Sequence, residues 1–453
     1  MTIQITANSG EVDVGAEDVF IGLTAVVAGA RGIDFAAGSD PGLAVVAGTV
    51  RGTTGGADLD GNDQLVVLGT GSVLGQGAAG ADAIRVTGAD NLISVSGSVF
   101  AEDAGIITFG SATNMDITIT ETGVVQGGSN GRGADAGAYS AAVAIGATDT
   151  TLVNNGDIIG EFNADNGQRI AVLNASVADA DPNGFNIGLN ADLDFFNTGF
   201  VRGDVLMGAG EDLYDARGGG IVNGLIDMGA GDDVARGGEG DEMINGGDGN
   251  DNMSGGSGMD SLNGGANNDT IAGNDGSDVL NGGGGEDSII GGAGDDEMTG
   301  GSQNDVVRGS TGNDDANGGG GNDTVSGGGG DDVVRGGKNK DEVRGGRGDD
   351  RVEGNGGKDT LEGGNGDDTI EGGGGGDLYV FGRNFGEDEI LDFSGSNREK
   401  IDISAVNQIA NFNDLVNNHL SQAGPDAVIT VGDDSITLVG FNGANLDAGD
   451  FIF

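Results

Sequence analysis

From residue 228 to residue 380 the sequence divides without a gap into 17 consecutive nonapeptides, typified by 246–254 (GGDGNDNMS) and 363–371 (GGNGDDTIE). Gly dominates the first four positions of each unit. The sixth carries Asp in all units but one, which has Glu242, and the eighth is apolar or aromatic throughout, from Ala235, Ile244 and Met253 to Ile370 and Tyr379. A flexible linker has no reason to hold apolar residues in register. A fixed short period belongs instead to a solenoid, in which each repeat is one supersecondary unit stacked on its neighbours. Gly tolerates left-handed backbone angles, so the GGxG half of a unit reads as a turn with its carbonyls available as ligands. The last three residues read as a short strand whose central side chain points inward. One apolar residue per unit makes a thin core, too thin to offset the entropy of ordering nine residues.

What supplements that core follows from the charge. Acids outnumber bases 74 to 19, for a formal net charge of -55, and 99 of the 453 residues are Gly. Such a chain repels itself when compact, and it remains disordered unless something neutralises its carboxylates. Carboxylates and turn carbonyls are hard oxygen ligands, the set that calcium takes six to eight at a time. The candidate metal ligands are the sixth-position residues Asp233, Glu242, Asp251, Asp260, Asp269, Asp278, Asp287, Asp296, Asp305, Asp314, Asp323, Asp332, Asp341, Asp350, Asp359, Asp368 and Asp377. Asp212 joins them from a weaker unit, 207–215 (MGAGEDLYD), that precedes the array out of register. Unneutralised carboxylates stacked at strand spacing repel, so folding and metal binding are expected to be one event. The same charge argues against nucleic acid or an anionic membrane as partner, and no apolar run reaches transmembrane length. With no Cys, neither disulfides nor thiolate chemistry is available.

The array resembles the RTX (repeats-in-toxin) calcium-binding repeats. That resemblance implies two nonapeptides per turn of a right-handed parallel β-roll, with several calcium ions held between turns by Gly carbonyls and the sixth-position Asp. It further implies about eight turns, roughly 40 Å of roll at about 4.8 Å per strand. Units 300–308 (GGSQNDVVR) and 336–344 (GGKNKDEVR) lack the fourth-position Gly, and Ala235 and Ala316 thin the core, so weaker sites are expected there.

The flanks differ from the array. Beyond 380 glycine thins and hydrophobic alternation returns, predicting strands at 390–393 (ILDF), 400–404 (KIDIS), 428–440 (VITVGDDSITLVG) and 450–453 (DFIF), with a helix starting in 412–417 (FNDLVN). This segment is similar to the C-terminal cap and uncleaved secretion signal of RTX proteins exported by type I machinery. Residues 1–10 (MTIQITANSG) have neither the basic nor the apolar region of a signal peptide, so an address in 381–453 is the expectation. Before the array, a Gly-x-apolar-x-Gly theme recurs at 48–52, 71–75, 123–127, 156–160, 199–203 and 220–224, with 97–101 a near match. Short strands at rung-like intervals predict a parallel β-helix, and 154–160 (NNGDIIG) and 197–203 (NTGFVRG) resemble rungs of secreted adhesins. A β-sandwich is the alternative. The expected fold is therefore all-β: a β-helix domain over 1–206 continuing into a β-roll over 207–380, with a small β cap over 381–453.

Catalytic groups are sparse. His419 is the sole histidine, which removes Ser-His-Asp and His-rich metal sites. The 127–131 string (GGSNG) fits GxSxG by composition alone. Two acidic clusters, Asp58, Asp60, Asn62 and Asp63, and Asp179, Asp181 and Asn183, space oxygens as calcium loops do, although Asn190 stands where the second needs a bidentate Glu. Ordinary turns explain both as well. A secreted polysaccharide lyase or epimerase would need a groove base such as Arg31, Arg51, Arg85, Arg132, Arg169, Arg202 or Tyr139. The reading favoured here is a secreted, calcium-binding structural protein of the cell surface or matrix, self-associating into a filament or layer through strands such as 2–7 (TIQITA). A monomeric adhesin is the further alternative.

Overall fold

The computed structural model describes residues 192–395 and 399–453 continuously. Before them it describes 3–5, 12–14, 19–21, 26–35, 42–59, 62–75, 82–101, 104–108, 113–127, 141–145, 148–160 and 170–174. The chain divides into two compact units, Met1–Asp248 and Gly249–Phe453.

In the first unit every described strand pairing is parallel, so the strands stack as rungs and the β-sandwich alternative is set aside. One row runs Ile3–Ile5, Val19–Ile21, Leu43–Val46, Gln64–Val67, Leu92–Val95, Thr113–Ile119, Thr148–Asn154, Leu193–Asn197, Leu213–Asp215 and Val234–Arg236. The Gly-x-apolar-x-Gly theme forms a second row, in which Val50 lies beside Val73, Val99 beside Val125 and Ile158 beside Val201. These central side chains are fully buried, and the period of two along each strand sends their neighbours outward. A third row contains Asp82–Val86, Ile106–Thr108, Ala141–Ile145, Ile170–Asn174, Asp204–Leu206, Leu225–Ala230 and Met243–Asp248. Among the described residues the second row ends at Ile221–Asn223, and the next turn passes from Val234–Arg236 to Met243–Asp248 directly. Three-strand rungs thus become two-strand rungs where the chain takes up its nine-residue period. Phe195 and Tyr214 fill the narrowing interior edge to face, with centroids 5.7 Å apart.

Two-strand rungs make up most of the second unit. Each strand pairs in parallel with the one two nonapeptides on, as Asn252 with Thr270 and Ser261 with Val279. The eighth-position side chains, Met253 through Tyr379, are at most 1% exposed, and even Ala316 keeps its place. The fourth position shows why Gly recurs: Gly276 sits at φ +143°, and a Cβ there would lie 1.5 Å from the carbonyl oxygen of Gly258. Where Gly is missing, Gln303 and Asn339 adopt φ of 78° and 77°, as does Asn267 at 75°, so the turn survives at some backbone cost.

The C-terminal expectations hold with shifted bounds. The strand expected at 390–393 is Glu387–Ile390, pairing in parallel with Thr369–Glu371 and with Asp434–Leu438. The single strand expected at 428–440 is a hairpin, Asp426–Val431 with Asp434–Leu438, extended antiparallel by Leu420–Ala423. Lys400–Asp402 lies between Leu378–Val380 and Phe451–Ile452. The helix is one short turn, Phe412–Asp414, running into a π-type turn, Leu415–His419.

Candidate metal centre

The eighteen candidate carboxylates are all buried, none more than 3% exposed. In the second unit they line up as two columns, because residues 18 apart occupy equivalent places on successive turns. In one column the backbone N–H of Asp251 donates to Oδ1 of Asp269 at 2.9 Å, and the pattern repeats through Asp287, Asp305, Asp323, Asp341 and Asp359 to Asp377 at 2.8 to 2.9 Å. The other runs from Asp260 through Asp278, Asp296, Asp314, Asp332 and Asp350 to Asp368 at the same distances.

Each carboxylate thus has one oxygen engaged. The second, Oδ2, is buried and, among the described residues, without a hydrogen-bond partner at Asp212, at every position from Asp269 to Asp377, and at Asp388. An unsatisfied buried carboxylate oxygen costs the full desolvation penalty of that atom, and its repetition at every turn requires a common cause. The space beside it is shaped by the first-position Gly: a Cβ on Gly264 would lie 2.3 Å from Asp269 Oδ2 and 2.6 Å from the carbonyl oxygen of Gly282. Carboxylate and carbonyl oxygens therefore converge where a side chain is excluded, a donor set that suits calcium. Among the described residues no three His, Cys, Asp or Glu side chains group around one point. The columns are single file.

Electrostatics point the same way. Burial, then repulsion from neighbouring carboxylates, pushes Asp269, Asp296, Asp305, Asp350 and Asp359 up to about 7, against the lowering effect of the backbone N–H each accepts. Asp332, Asp341 and Asp368 rise to about 6 for the same principal reason. Nearby positive charge would return all of them to the ionised form.

In the first unit Asp212 accepts from Leu193 N and Asp233 from Asp212 N, both at 2.7 Å. Glu242, one methylene longer, turns back to Gly238 N in its own unit at 3.3 Å. The column has antecedents upstream: Asp63 Oδ1 accepts from Gly42 N at 3.0 Å, and Asp63 N donates to Asn91 Oδ1 at 2.9 Å. Asp63 therefore serves as a rung-to-rung bridge, while Asp58 lies in the strand Thr49–Leu59. Asp60 and the 179–190 cluster lie outside the described residues, as do Arg132, Arg169, Tyr139 and 128–131. Of the groove candidates, Arg85 is 3.8 Å from Asp82. His419 is half-buried, with Nδ1 2.9 Å from the carbonyl oxygen of Thr430.

Sequence reasoning missed Asp388. It accepts from Asp368 N at 2.9 Å and continues the second column one turn past the last nonapeptide. Its separation of 20 rather than 18 residues from Asp368 hides it from a strict period. The signal was the string 386–391 (GEDEIL), which restores the Gly-x-Asp-x-apolar half of a unit after a two-residue insertion.

Comparison with known proteins agrees with this geometry. Residues 229–253, 254–289, 273–307, 308–343 and 344–379 match the family model of the RTX calcium-binding nonapeptide repeat, which identifies the array as RTX repeats and calcium as its cofactor. No curated protein matches the chain. Among solved structures, a subunit of the mannuronan C5-epimerase of Azotobacter vinelandii is 27% identical, covering 28% of this chain and 79% of that one, with a TM-score of 0.24. The extracellular lipase LipA of Serratia marcescens is 14% identical over 75% of this chain and 67% of that one, with a TM-score of 0.21.

Proposed function

We propose that this chain is exported by a type I machine and acts outside the cell as a calcium-folded structural protein that associates with its own kind. The observation that carries the reading is the column of buried Oδ2 atoms without protein partners, from Asp269 to Asp377. The sixth-position Asp residues and neighbouring turn carbonyls would hold the ions, and calcium when bound supplies the positive charge those oxygens lack. Calcium sites of extracellular modules typically work at roughly 10⁻⁴ to 10⁻³ M, so a repeat array of this kind stays unfolded where calcium is scarce and folds on emergence. The segment 381–453 is proposed to carry the export address as well as covering the final strands.

Self-association is supported by charge and by strand edges. A chain of net charge -55 keeps its copies apart until calcium neutralises it. Ile3–Ile5 pairs with Val19–Ile21 along one edge and, among the described residues, along that edge only; an unpaired edge is a template for a second copy. Light scattering and electron microscopy of the purified chain test this. Millimolar calcium should produce filaments or sheets that chelator disperses. Particles that stay monomeric at high concentration in calcium contradict the assembly, and turnover of an acidic polysaccharide by those monomers would favour the lyase or epimerase reading.

A further inference from the structure

The two carboxylate columns of the second unit end differently. In the first, the strand Lys400–Asp402 follows Leu378–Val380 in register, which places Glu399 one turn beyond Asp377. Glu399 is 2% exposed, and its Oε2 accepts from the backbone N–H of Ser394 at 2.7 Å and from the Ser394 hydroxyl at 3.2 Å. Nearby, the carboxylate of Asp392 accepts from Gly372 N, Gly373 N and the Tyr379 hydroxyl at 2.7 to 3.1 Å. Protein donors close that end.

The second column ends on Asp388, and no such donors meet it. Asp388 is 1% exposed; its Oδ1 accepts from Asp368 N, and its Oδ2 has no hydrogen-bond partner, like that of Asp368 a turn before. The backbone there keeps the repeat geometry. Gly386, in the place of a fourth-position Gly, has φ +96°, and a Cβ on it would lie 2.0 Å from the carbonyl oxygen of Gly366. The strand bearing Asp388 also lies directly against the terminal hairpin: Asp388 is in register with Ile436, Ser435 N donates to the carbonyl of Gly386 at 2.8 Å, and Gly386 N donates to Asp434 Oδ1 at 3.4 Å.

We propose that a further calcium ion binds between Asp368 and Asp388, at the C-terminal end of the repeat array, and that it ties the hairpin Asp426–Val431 and Asp434–Leu438 to the array. The inference rests on the proposal that the sixth-position Asp residues hold calcium. The buried Oδ2 atoms of Asp368 and Asp388, with the turn carbonyl of Gly366 close to Gly386, offer the same kinds of oxygen as within the array. The carboxylates of Asp367, Asp368 and Asp434 all repel Asp388, so without a cation this junction is held apart at the point where the hairpin must dock. Hairpin docking is therefore calcium-linked, although the hairpin itself contains no nonapeptide.

The test uses the full chain. Bound calcium is counted by equilibrium dialysis, and hydrogen exchange is followed by mass spectrometry over 386–390 and 426–438 in Asp388→Asn and, as a control inside the array, in Asp305→Asn. Asn keeps an oxygen to accept from Asp368 N and replaces the charged ligand oxygen Oδ2 by an NH2 group. Asp388→Asn should bind fewer ions than the parent and exchange the hairpin roughly tenfold faster, whereas Asp305→Asn should lose calcium without that effect on the hairpin. If the variant binds the parental number and the hairpin is unchanged, the inference is overturned while the array reading stands. If the parent chain binds no calcium, the array reading itself fails. Should Asp388→Asn not fold, the parent decides: hairpin protection must rise with calcium, and protection already complete in chelator overturns the proposal.

Discussion

At the scale of single residues, each nonapeptide sets two demands that one atom can break. The sixth residue must place one oxygen on the N–H of the previous turn and leave the other facing the carbonyls. The fourth must turn left, and there the sequence is forgiving only within limits. Asn267, Gln303 and Asn339 hold positive φ where Gly is usual, since a left-handed residue with a Cβ costs about 1–2 kcal/mol and not a fold. Gly276 is different, because its φ of +143° is one that side chains rarely adopt and its Cβ would strike the Gly258 carbonyl. We therefore expect Gly276→Ala to raise the calcium concentration needed for folding, whereas Asn267→Gly should leave it unchanged or lower it. Calcium titrations followed by circular dichroism rank the two, and an Ala variant that folds like the parent would contradict the close contact. Most of this was legible in the sequence, since Asp, Gly and the eighth-position apolar residue each announce their role by recurrence. Asp388 was not, because a two-residue insertion breaks the period while the strand pairing absorbs it. At Asp63 the spacing suits a calcium loop, and the rungs add what spacing cannot reveal: its carboxylate accepts from Gly42 N while its own N–H donates to the Asn91 side chain.

At the scale of the element, the columns behave as coupled rows of acids. Burial raises many of the sixth-position Asp residues to about 6 or 7 in the folded, metal-free chain, above the value near 3.9 expected when unfolded. The folded state therefore takes up protons, and for acids of raised pKa the associated stability is present at low pH and is lost as pH rises through about 6 to 7. Metal-free chain should gain strand structure when brought from about pH 8 to about pH 5, still above its isoelectric point of about 4.1. Circular dichroism in chelator checks this, and strand content that falls on acidification would contradict it. Calcium and protons compete for the same oxygens, so calcium should matter most at the alkaline end. The parallel stacking upstream was legible for a related reason: Gly-x-apolar-x-Gly recurs because each copy is one strand of one row. The rows around it lack the Gly-x-apolar-x-Gly pattern, so the three-strand rung and its change to two strands appear only in the pairings. In the terminal hairpin, hydrophobic alternation runs on both sides of the Gly432-Asp433-Asp434 turn, so 428–440 resembles one strand until the antiparallel pairing shows two.

For the molecule as a whole, folding of the repeat region and calcium binding are proposed to be a single equilibrium, in which the ions relieve a carboxylate repulsion that a thin apolar core cannot overcome. Magnesium is a poor substitute, because its small octahedral shell suits carbonyl-rich, many-oxygen sites badly. The direct measurement is far-UV circular dichroism of the purified chain through a calcium titration begun in chelator near neutral pH, with magnesium as the parallel arm. Little strand signal from the array is expected at the start, then a cooperative rise as calcium approaches the millimolar range, and no comparable rise with magnesium. Full strand content in chelator, unchanged by calcium, would contradict the single equilibrium.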